Sequence, residues 1–225
     1  MSRTPIVAAN WKMNDPPAGW DTAHAPYAKR KNADIIVLPS MIDIPACINA
    51  GLNVGAQCGR AEASGAFTGD VSMEMLKRLG CTYVLCGHSE RRQHHHESDE
   101  MVAAQAAAAM SAGLIPIICM GETMDQREMK QEKEVVKQQL TTASHQLQAT
   151  SFVIAYEPVW AIGTGKTATP DDAQEMHAFI RSPPAGAVAG HASRAGRLPR
   201  GAMRSRAGTT AAGGGSRSGP VPGVM

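Results

Sequence analysis

A glutamate that follows a buried strand is the first residue whose type and position favour chemistry. Glu157 comes directly after residues 151–156, an apolar run rich in β-branched and aromatic residues that is typical of a strand. The carboxyl end of a barrel strand is where catalytic side chains usually lie. A stiff Pro-Val-Trp segment, the glycines Gly163 and Gly165, and Lys166 come next, so this loop can hinge and offer a glycine amide to an anion. We interpret Glu157 as a functional residue; an ion pair at the surface is the alternative.

Two other strand ends carry polar side chains. His88 follows the apolar residues 82–86 and opens a short helical segment, whose N-terminal amides disfavour the charged imidazolium. Asn10 and Lys12 follow the first apolar run, at residues 5–9. A structural histidine and a solvated lysine are the alternatives at these positions.

The strands that must position these side chains are nearly continuous apolar runs, as expected for strands covered on both faces. We predict six of them, at residues 5–9, 34–38, 52–56, 82–86, 114–119 and 151–156. Helical patterns lie between them, over residues 98–110, 126–147 and 171–181, and residues 15–31 favour only a short or irregular helix. Thr169 caps the last helix, and Pro170 opens it. Alternating strands and helices predict a parallel α/β fold with right-handed crossovers.

The composition changes abruptly after Arg181. Residues 182–225 contain ten glycines, one leucine, six arginines and no acidic residue, so the net charge of +2 divides into +6 there and −4 in the first 181 residues. So little apolar surface cannot offset the entropy of ordering the chain. We therefore predict a folded domain over residues 1–181 and a disordered tail over residues 182–225.

Two origins of this tail stay open. Our hypothesis is that it comes from a shifted reading frame, or otherwise replaces a native C-terminus, because a capped helix runs straight into Gly/Ala/Pro/Arg-rich sequence. The alternative is a genuine basic extension that contacts nucleic acid electrostatically. Because the tail lacks aromatic residues, we expect no specific recognition of nucleic acid.

The five cysteines are Cys47, Cys58, Cys81, Cys86 and Cys119, and no two of them form a Cys-x-x-Cys pair. Most lie in apolar runs, which indicates buried, reduced thiols and a cytoplasmic location. No leader with a charged and then an apolar region opens the sequence, and no apolar run approaches the ~20 residues that span a membrane. We expect a soluble protein that contacts no membrane.

Three segments resemble signatures of the triosephosphate isomerase family and occur in the family's order. They run from Asn10 to Asn14, from Cys86 to Arg92 and from Ala155 to Thr167. The resemblance implies a (β/α)8 TIM barrel, of which about six βα units are recognisable before Arg181. It also implies a cytoplasmic homodimer of glycolysis and gluconeogenesis that needs no metal or organic cofactor. Such an enzyme interconverts dihydroxyacetone phosphate and glyceraldehyde 3-phosphate through an enediolate.

The resemblance gives a role to each matching residue. It makes Glu157 the catalytic base and His88 the neutral electrophile at the substrate oxygens; both roles are the standard illustration of acid/base tuning in this family. Lys12 becomes the cation that attracts the phosphate. Asn10 positions the substrate by hydrogen bonds, and the amide of Gly163 binds phosphate when the lid closes.

Supporting roles follow for two further residues. Glu90 orients or pairs with Lys12. The loop from Cys58 to Asp70 resembles the one that the family inserts into a partner subunit, which brings Thr68 towards the partner's site. A plain surface loop is the alternative.

Part of the family pattern is missing. The Gly-Gly-Ser turn and the later Gly-Gly-Ala-Ser segment that complete the family's phosphate site have no match after Arg181. The alternative function is therefore that of a non-catalytic, truncated homologue.

Two other patterns point to different functions and are less favoured. Consecutive residues such as His94, His95 and His96 rarely face one ion, and no cysteine or carboxylate spacing supports zinc, so we predict no metal. The family usually has a glycine or another small residue where His96 stands. Residues 163–167 end like the phosphate loop of a nucleotide-binding module, but Trp160 occupies the position where that motif needs a glycine.

Overall fold

The computed structural model describes residues 4–22, 24–147, 152–162 and 164–182, which contain six strands and seven α-helices. The strands are β1 (Ile6–Asn10), β2 (Asp34–Leu38), β3 (Gly55–Ala56), β4 (Tyr83–Cys86), β5 (Ile115–Met120) and β6 (Val153–Tyr156). The helices are α1 (Ile44–Asn49), α2 (Met73–Leu79), α3 (Ser89–His95), α4 (Asp99–Ser111), α5 (Met124–Glu128), α6 (Glu132–Ser144) and α7 (Pro170–Arg181). Short 3₁₀ segments, Met41–Asp43 and Val159–Ala161, follow β2 and β6.

The strands pair in the order in which they occur in the chain, and all the pairs are parallel. β1 pairs with β2, and β3 to β6 form a continuous four-stranded stretch. The two stretches meet where Val37 bridges Val54 and donates its N–H to the carbonyl oxygen of Asn53 at 3.0 Å. Among the described residues, β1 and β6 each have a strand on one side only. The predicted parallel α/β fold is confirmed, with six strands among the described residues.

Apolar side chains cover both faces of the sheet and form two clusters. One cluster consists of strand residues, namely Ile6, Ile36, Leu38, Tyr83, Leu85, Ile117, Cys119 and Val153. The other joins the opposite face of the strands, including Val84, Ile118 and Ile154, to helix residues such as Leu76, Val102 and Val136. Because successive side chains of a strand point to opposite faces, burial of both faces requires the continuous apolar runs seen in the sequence.

The helix starts follow the sequence caps. Ser98 Oγ accepts a backbone N–H at 3.3 Å at the start of α4. Thr169 and Asp172 form a capping box at the start of α7, with Pro170 in its first turn. These caps fix where α7 begins relative to the loop that follows Glu157.

Three details differ from the sequence prediction. The single helix predicted over residues 126–147 is wrong, because α5 ends at Glu128 and α6 begins at Glu132. Lys130, between them, has φ 57°, a left-handed backbone that an α-helix excludes. Residues 15–22 and 24–31 contain turns instead of a helix, as their prolines and scattered polarity suggested, and β3 is shorter than the run at residues 52–56.

The predicted tail, residues 182–225, lies outside the described residues except for Ser182, which follows the end of α7. Its disorder and its frameshift origin therefore stay predictions. Along the part of the chain that the structure describes, no helix is both long enough and apolar enough to cross a membrane.

Candidate active site

Glu157 and His88 meet at the carboxyl edge of the sheet. Glu157 follows β6, and His88 stands between β4 and α3. Glu157 Oε1 lies 3.0 Å from His88 Nε2, and its Oε2 accepts the backbone N–H of Ser89 at 2.9 Å. Only 13% of the Glu157 side chain and 12% of the His88 side chain are exposed. The carboxylate is thus held at two atoms while one side of the pair still reaches the surface.

The hydrogen bonds of His88 assign its proton to Nε2. The N–H of Glu90 donates to His88 Nδ1 at 3.2 Å, so Nδ1 is an acceptor and carries no proton. His88 is also the N-cap residue of α3, and its Nδ1 accepts an N–H of the first turn of that helix. An Nε2–H that points at Glu157 follows from these contacts.

Lys12 enters the same edge from β1 and pairs with Glu90 of α3. Lys12 Nζ lies 2.5 Å from Glu90 Oε1, with 41% and 42% of the two side chains exposed. Burial opposes ionisation of Glu90, but the hydrogen bond and charge of Lys12 outweigh it and lower the pKa of the Glu90 carboxyl. The pair therefore keeps a solvent-accessible cation beside the His88–Glu157 pair.

The backbone of Lys12 is held in an uncommon conformation. Its φ is 54°, in the left-handed region. Asn10 Oδ1 accepts the Lys12 N–H at 3.0 Å, and Gln57 Nε2 donates to the carbonyl oxygens of Lys12 at 2.8 Å and of Leu38 at 2.9 Å. These bonds compensate for the strain, as is common where a side chain must be aimed at a ligand.

The structure brings Asn10, Lys12, His88, Glu90 and Glu157 together, and we call these five residues the strand-end cluster. Gly163, expected to bind phosphate, lies outside the described residues. Thr68 is exposed on the loop between β3 and α2, away from the contacts of the strand-end cluster. Arg60 braces that loop by an ion pair with Asp70 at 2.7 Å and by stacking 3.6 Å from the centre of the Phe67 ring.

A second polar cluster, which the sequence reasoning missed, lies behind the first. Tyr156 Oη donates to the carboxylate of Glu122, with oxygen–oxygen distances of 2.9 and 3.0 Å. Arg127 bridges Glu122 Oε1 at 3.1 Å and Asp172 Oδ1 at 2.9 Å, and its guanidinium lies 5.0 Å from the Trp160 ring. We call Glu122, Arg127, Tyr156 and Asp172 the Glu122 cluster. Its sequence signal was an acid placed after a strand, as Glu157 is.

Burial decides the electrostatics of the Glu122 cluster. The Glu122 side chain is 0% exposed, and burial raises its pKa despite the hydrogen bonds from the backbone, Tyr156 and Arg127. Burial and the neighbouring Glu122 likewise raise the pKa of Tyr156. The cluster ties the loop after β5 to the end of β6 and, through Asp172, to the first turn of α7.

The cysteines in the described residues are free, and four of them are buried. Burial raises the pKa of the Cys47 and Cys81 thiols to about 11, with Asp43 adding to the effect at Cys47. Cys119 lies under the site, where burial and the charge of Glu157 raise its thiol pKa. These thiols are neutral and act as packing groups.

The two less favoured patterns of the sequence were the histidine run at residues 94–96 and the segment that ends like a nucleotide phosphate loop. The described residues contain no group of three or more His, Cys, Asp or Glu side chains arranged to hold a metal ion. His94 and His95 end α3 and are exposed, and His96 is its C-cap with φ 55°. Lys166 precedes the first residue of α7 by a non-helical stretch, whereas the lysine of a nucleotide phosphate loop leads directly into its helix.

Parallel strands with helices between them, and with polar side chains gathered at their carboxyl ends, are typical of the class of β/α-barrel enzymes. The family model described as triosephosphate isomerase matches residues 5–201. The chain belongs to the triosephosphate isomerase family. The matched range extends past Arg181, where the recognisable motifs end.

Individual relatives agree with the family match. The chain is 44% identical over 190 residues to the triosephosphate isomerase of Endomicrobium trichonymphae, covering 80% of this chain and 76% of the relative. It is 45% identical over 189 residues to that of Moorella thermoacetica, with the same coverage of 80% and 76%. It is 44% identical over 200 residues to that of Cupriavidus necator, covering 85% of this chain and 82% of the relative.

Proposed function

We propose that this chain is an isomerase that interconverts dihydroxyacetone phosphate and glyceraldehyde 3-phosphate, a step of glycolysis and gluconeogenesis. The observation that carries the proposal is the carboxylate of Glu157, held between His88 Nε2–H and the Ser89 amide with the cation of Lys12 at the same edge. Family membership supports the choice of a triose phosphate as substrate.

In this mechanism Glu157 is the base. It takes a proton from the hydroxyl-bearing carbon next to the substrate carbonyl and returns it to the former carbonyl carbon. The hydroxyl proton moves from that carbon's oxygen to the former carbonyl oxygen, so atoms and electrons balance. His88 Nε2–H donates a hydrogen bond to the oxygen on which negative charge develops, as a neutral electrophile. The chemistry is proton transfer, and it requires neither a metal nor an organic cofactor.

Binding is assigned to the remaining residues of the strand-end cluster. Lys12 balances the charge of the phosphate and of the enediolate, and Asn10 holds the Lys12 backbone in its strained conformation. Glu90 fixes the position of the Lys12 ammonium. Gly163 supplies a backbone amide to the phosphate from the lid.

A coupled isomerase assay on the full chain tests the proposal. We expect Glu157→Gln to lower kcat by about 10³-fold, since it keeps the shape of the side chain but removes the base. Glu128→Gln, an exposed change on α5, is the matched control and should leave kcat unchanged. Equal turnover with and without Glu157 would exclude it as the base. A folded chain with no turnover at all would favour the non-catalytic homologue.

We also propose that the chain acts as a cytoplasmic homodimer through the loop from Cys58 to Asp70, which carries Thr68. Two large apolar side chains after β1 and β2 support a partner surface: Met13 is 96% exposed and Ile42 is 88% exposed. The free cysteines support a reducing compartment. Light scattering should give a dimer that Met13→Asp disrupts. Met129→Asp, at another exposed methionine, should leave the dimer intact.

A further inference from the structure

Gly121, directly after β5, is packed against the main chain of Glu157. A Cβ atom at this position would lie 1.8 Å from the Glu157 carbonyl oxygen and 2.9 Å from its carbonyl carbon, distances that no side chain can tolerate. Backbone bonds fix the contact on both sides. Glu157 donates its N–H to Met120 O at 2.8 Å, and Trp160 donates its N–H to Glu122 O at 3.2 Å. The backbone from which the Glu157 carboxylate projects therefore rests on Gly121.

A helix side chain holds Gly121 from another direction. The N–H of Gly121 donates to Gln139 Oε1 at 3.0 Å, and Gln139 Nε2 donates to the Gly121 carbonyl oxygen at 3.4 Å. Gln139 belongs to α6, whose Val136 and Leu140 are buried in the core, so the carboxamide extends from a fixed support. One side chain thus bonds both polar backbone groups of the residue on which Glu157 rests.

We propose that Gln139 is a positioning residue for Glu157. Its carboxamide fixes the Gly121 peptide groups, Gly121 fixes the main chain of Glu157, and this sets the 3.0 Å contact between the carboxylate and His88 Nε2. Gln139 touches neither Glu157 nor His88 through a described hydrogen bond, so it acts through the backbone. The inference rests on the proposed function for its effect on turnover, but not for its effect on geometry.

The test compares Gln139→Leu with Gln138→Leu in the full chain. Both changes replace a glutamine of α6 by leucine, but Gln138 is exposed and lies beside the residue that bonds Gly121. We expect Gln139→Leu to lower kcat about 10- to 100-fold, since a small misplacement of a reacting group has effects of this size. KM should change less than about threefold, because the phosphate-binding groups stay in place. Gln139→Glu keeps the acceptor for the Gly121 N–H and loses the donor, so its loss of kcat should be smaller and provides a second variant if the leucine chain does not fold.

A readout independent of turnover separates this inference from the proposed function. The His88 Nε2 proton resonance in an NMR spectrum reports its contact with Glu157. It should move in both Gln139 variants and stay in place in Gln138→Leu. If the unmodified chain has no isomerase activity, the proposed function fails while this spectrum still decides the inference. A folded Gln139→Leu chain with an unchanged resonance, even one with a lower melting temperature, would show that Gln139 supports stability alone and would overturn the proposal.

Discussion

Two acidic clusters lie at the carboxyl edge of one sheet, and they differ in the exposure of a carboxylate and in the direction of its pKa shift. In the strand-end cluster, Glu90 is 42% exposed and holds the equally exposed Lys12, and its pKa is lowered. In the Glu122 cluster, the carboxylate is 0% exposed, both of its oxygens are bonded, and its pKa is raised. The first arrangement leaves charge available to a ligand. In the Glu122 cluster, the hydrogen bonds hold the loop after β5 to the end of β6 and to α7.

The contrast shows that two acids that follow strands of one sheet can differ in their access to a ligand. Glu122 and Glu157 follow neighbouring strands, β5 and β6, yet only Glu157 shares its carboxylate with a histidine that can face a substrate. What separates them is the number of partners and the access to solvent, which depend on residues distant in sequence such as Arg127 and Tyr156.

The largest expected effect on stability comes from removing the carboxylate at the centre of the Glu122 cluster. Glu122→Ala should lower the free energy of unfolding by about 3 kcal/mol or more, because it leaves the buried Tyr156 hydroxyl without its acceptor and Arg127 without its buried partner. Glu90→Ala should cost about 1 kcal/mol or less, since the Lys12–Glu90 pair is screened by solvent. Urea unfolding at neutral pH measures both. A larger loss at Glu90 than at Glu122 would reverse the comparison.

A smaller effect is expected from backbone strain, which occurs both inside and outside the strand-end cluster. Lys12 and His96 both have left-handed backbones, with φ 54° and φ 55°. His96→Gly should raise the free energy of unfolding by about 0.5–1 kcal/mol, because glycine adopts this conformation without strain at a helix C-cap. His95→Gly, inside α3, should lower it by a similar amount, about 0.5–1 kcal/mol. Thermal unfolding of both variants checks the opposite signs, and a loss of stability in His96→Gly would contradict the prediction.

Lys12→Gly extends the same comparison to activity. Relief of strain should partly offset the lost contacts in stability, whereas isomerase turnover should fall because the ammonium is gone. A variant that gains in turnover would show that the strained lysine is not used by the site.

The smallest expected effect is the pH dependence, in which the two acids have opposite signs. The Glu90 pKa is lowered on folding, so Glu90 contributes stability above its unfolded pKa, and that contribution is lost as pH falls through the folded pKa. The Glu122 pKa is raised, so the folded chain gains stability relative to Glu122→Gln as pH falls from neutral towards the unfolded pKa of 4.5. Below that value, the folded chain should lose stability relative to Glu90→Gln. Urea titrations at pH steps between 7 and about 3 measure the two differences, and equal signs would contradict the assignment.

Much of this fold could be predicted because strands that are covered on both faces have continuous apolar sequences. β2 begins and ends at the predicted residues, and the other strands overlap their runs. The break between α5 and α6 could not be predicted, because Lys130 is a good helix former although its backbone is left-handed in the structure. Asn10, Lys12, His88 and Glu157 could be gathered from sequence, since each lies within two residues of a strand end and parallel strands bring those ends to one edge. Glu90, inside α3, followed only from the family resemblance.

The supporting contacts were not visible in the sequence. Gln57 reaches Lys12 across 45 residues, and Gln139 reaches Gly121 across 18 residues. A glutamine with one partner far along the chain has no local pattern that separates it from a surface glutamine. Glu122 was within reach of sequence reasoning, since it is a glutamate just after an apolar run, as Glu157 is after residues 151–156.

The strand order also has a consequence for how the chain is made. Each described strand pairs only with the strand before it and the strand after it in the sequence. As the polypeptide leaves the ribosome, β2 can join β1, and each later strand can join an existing edge without waiting for distant sequence. Synthesis can therefore add one strand at a time, and Lys12, His88 and Glu157 enter the growing edge in that order. The contact between His88 and Glu157 can form only when β6, the last of these strands to emerge, has docked.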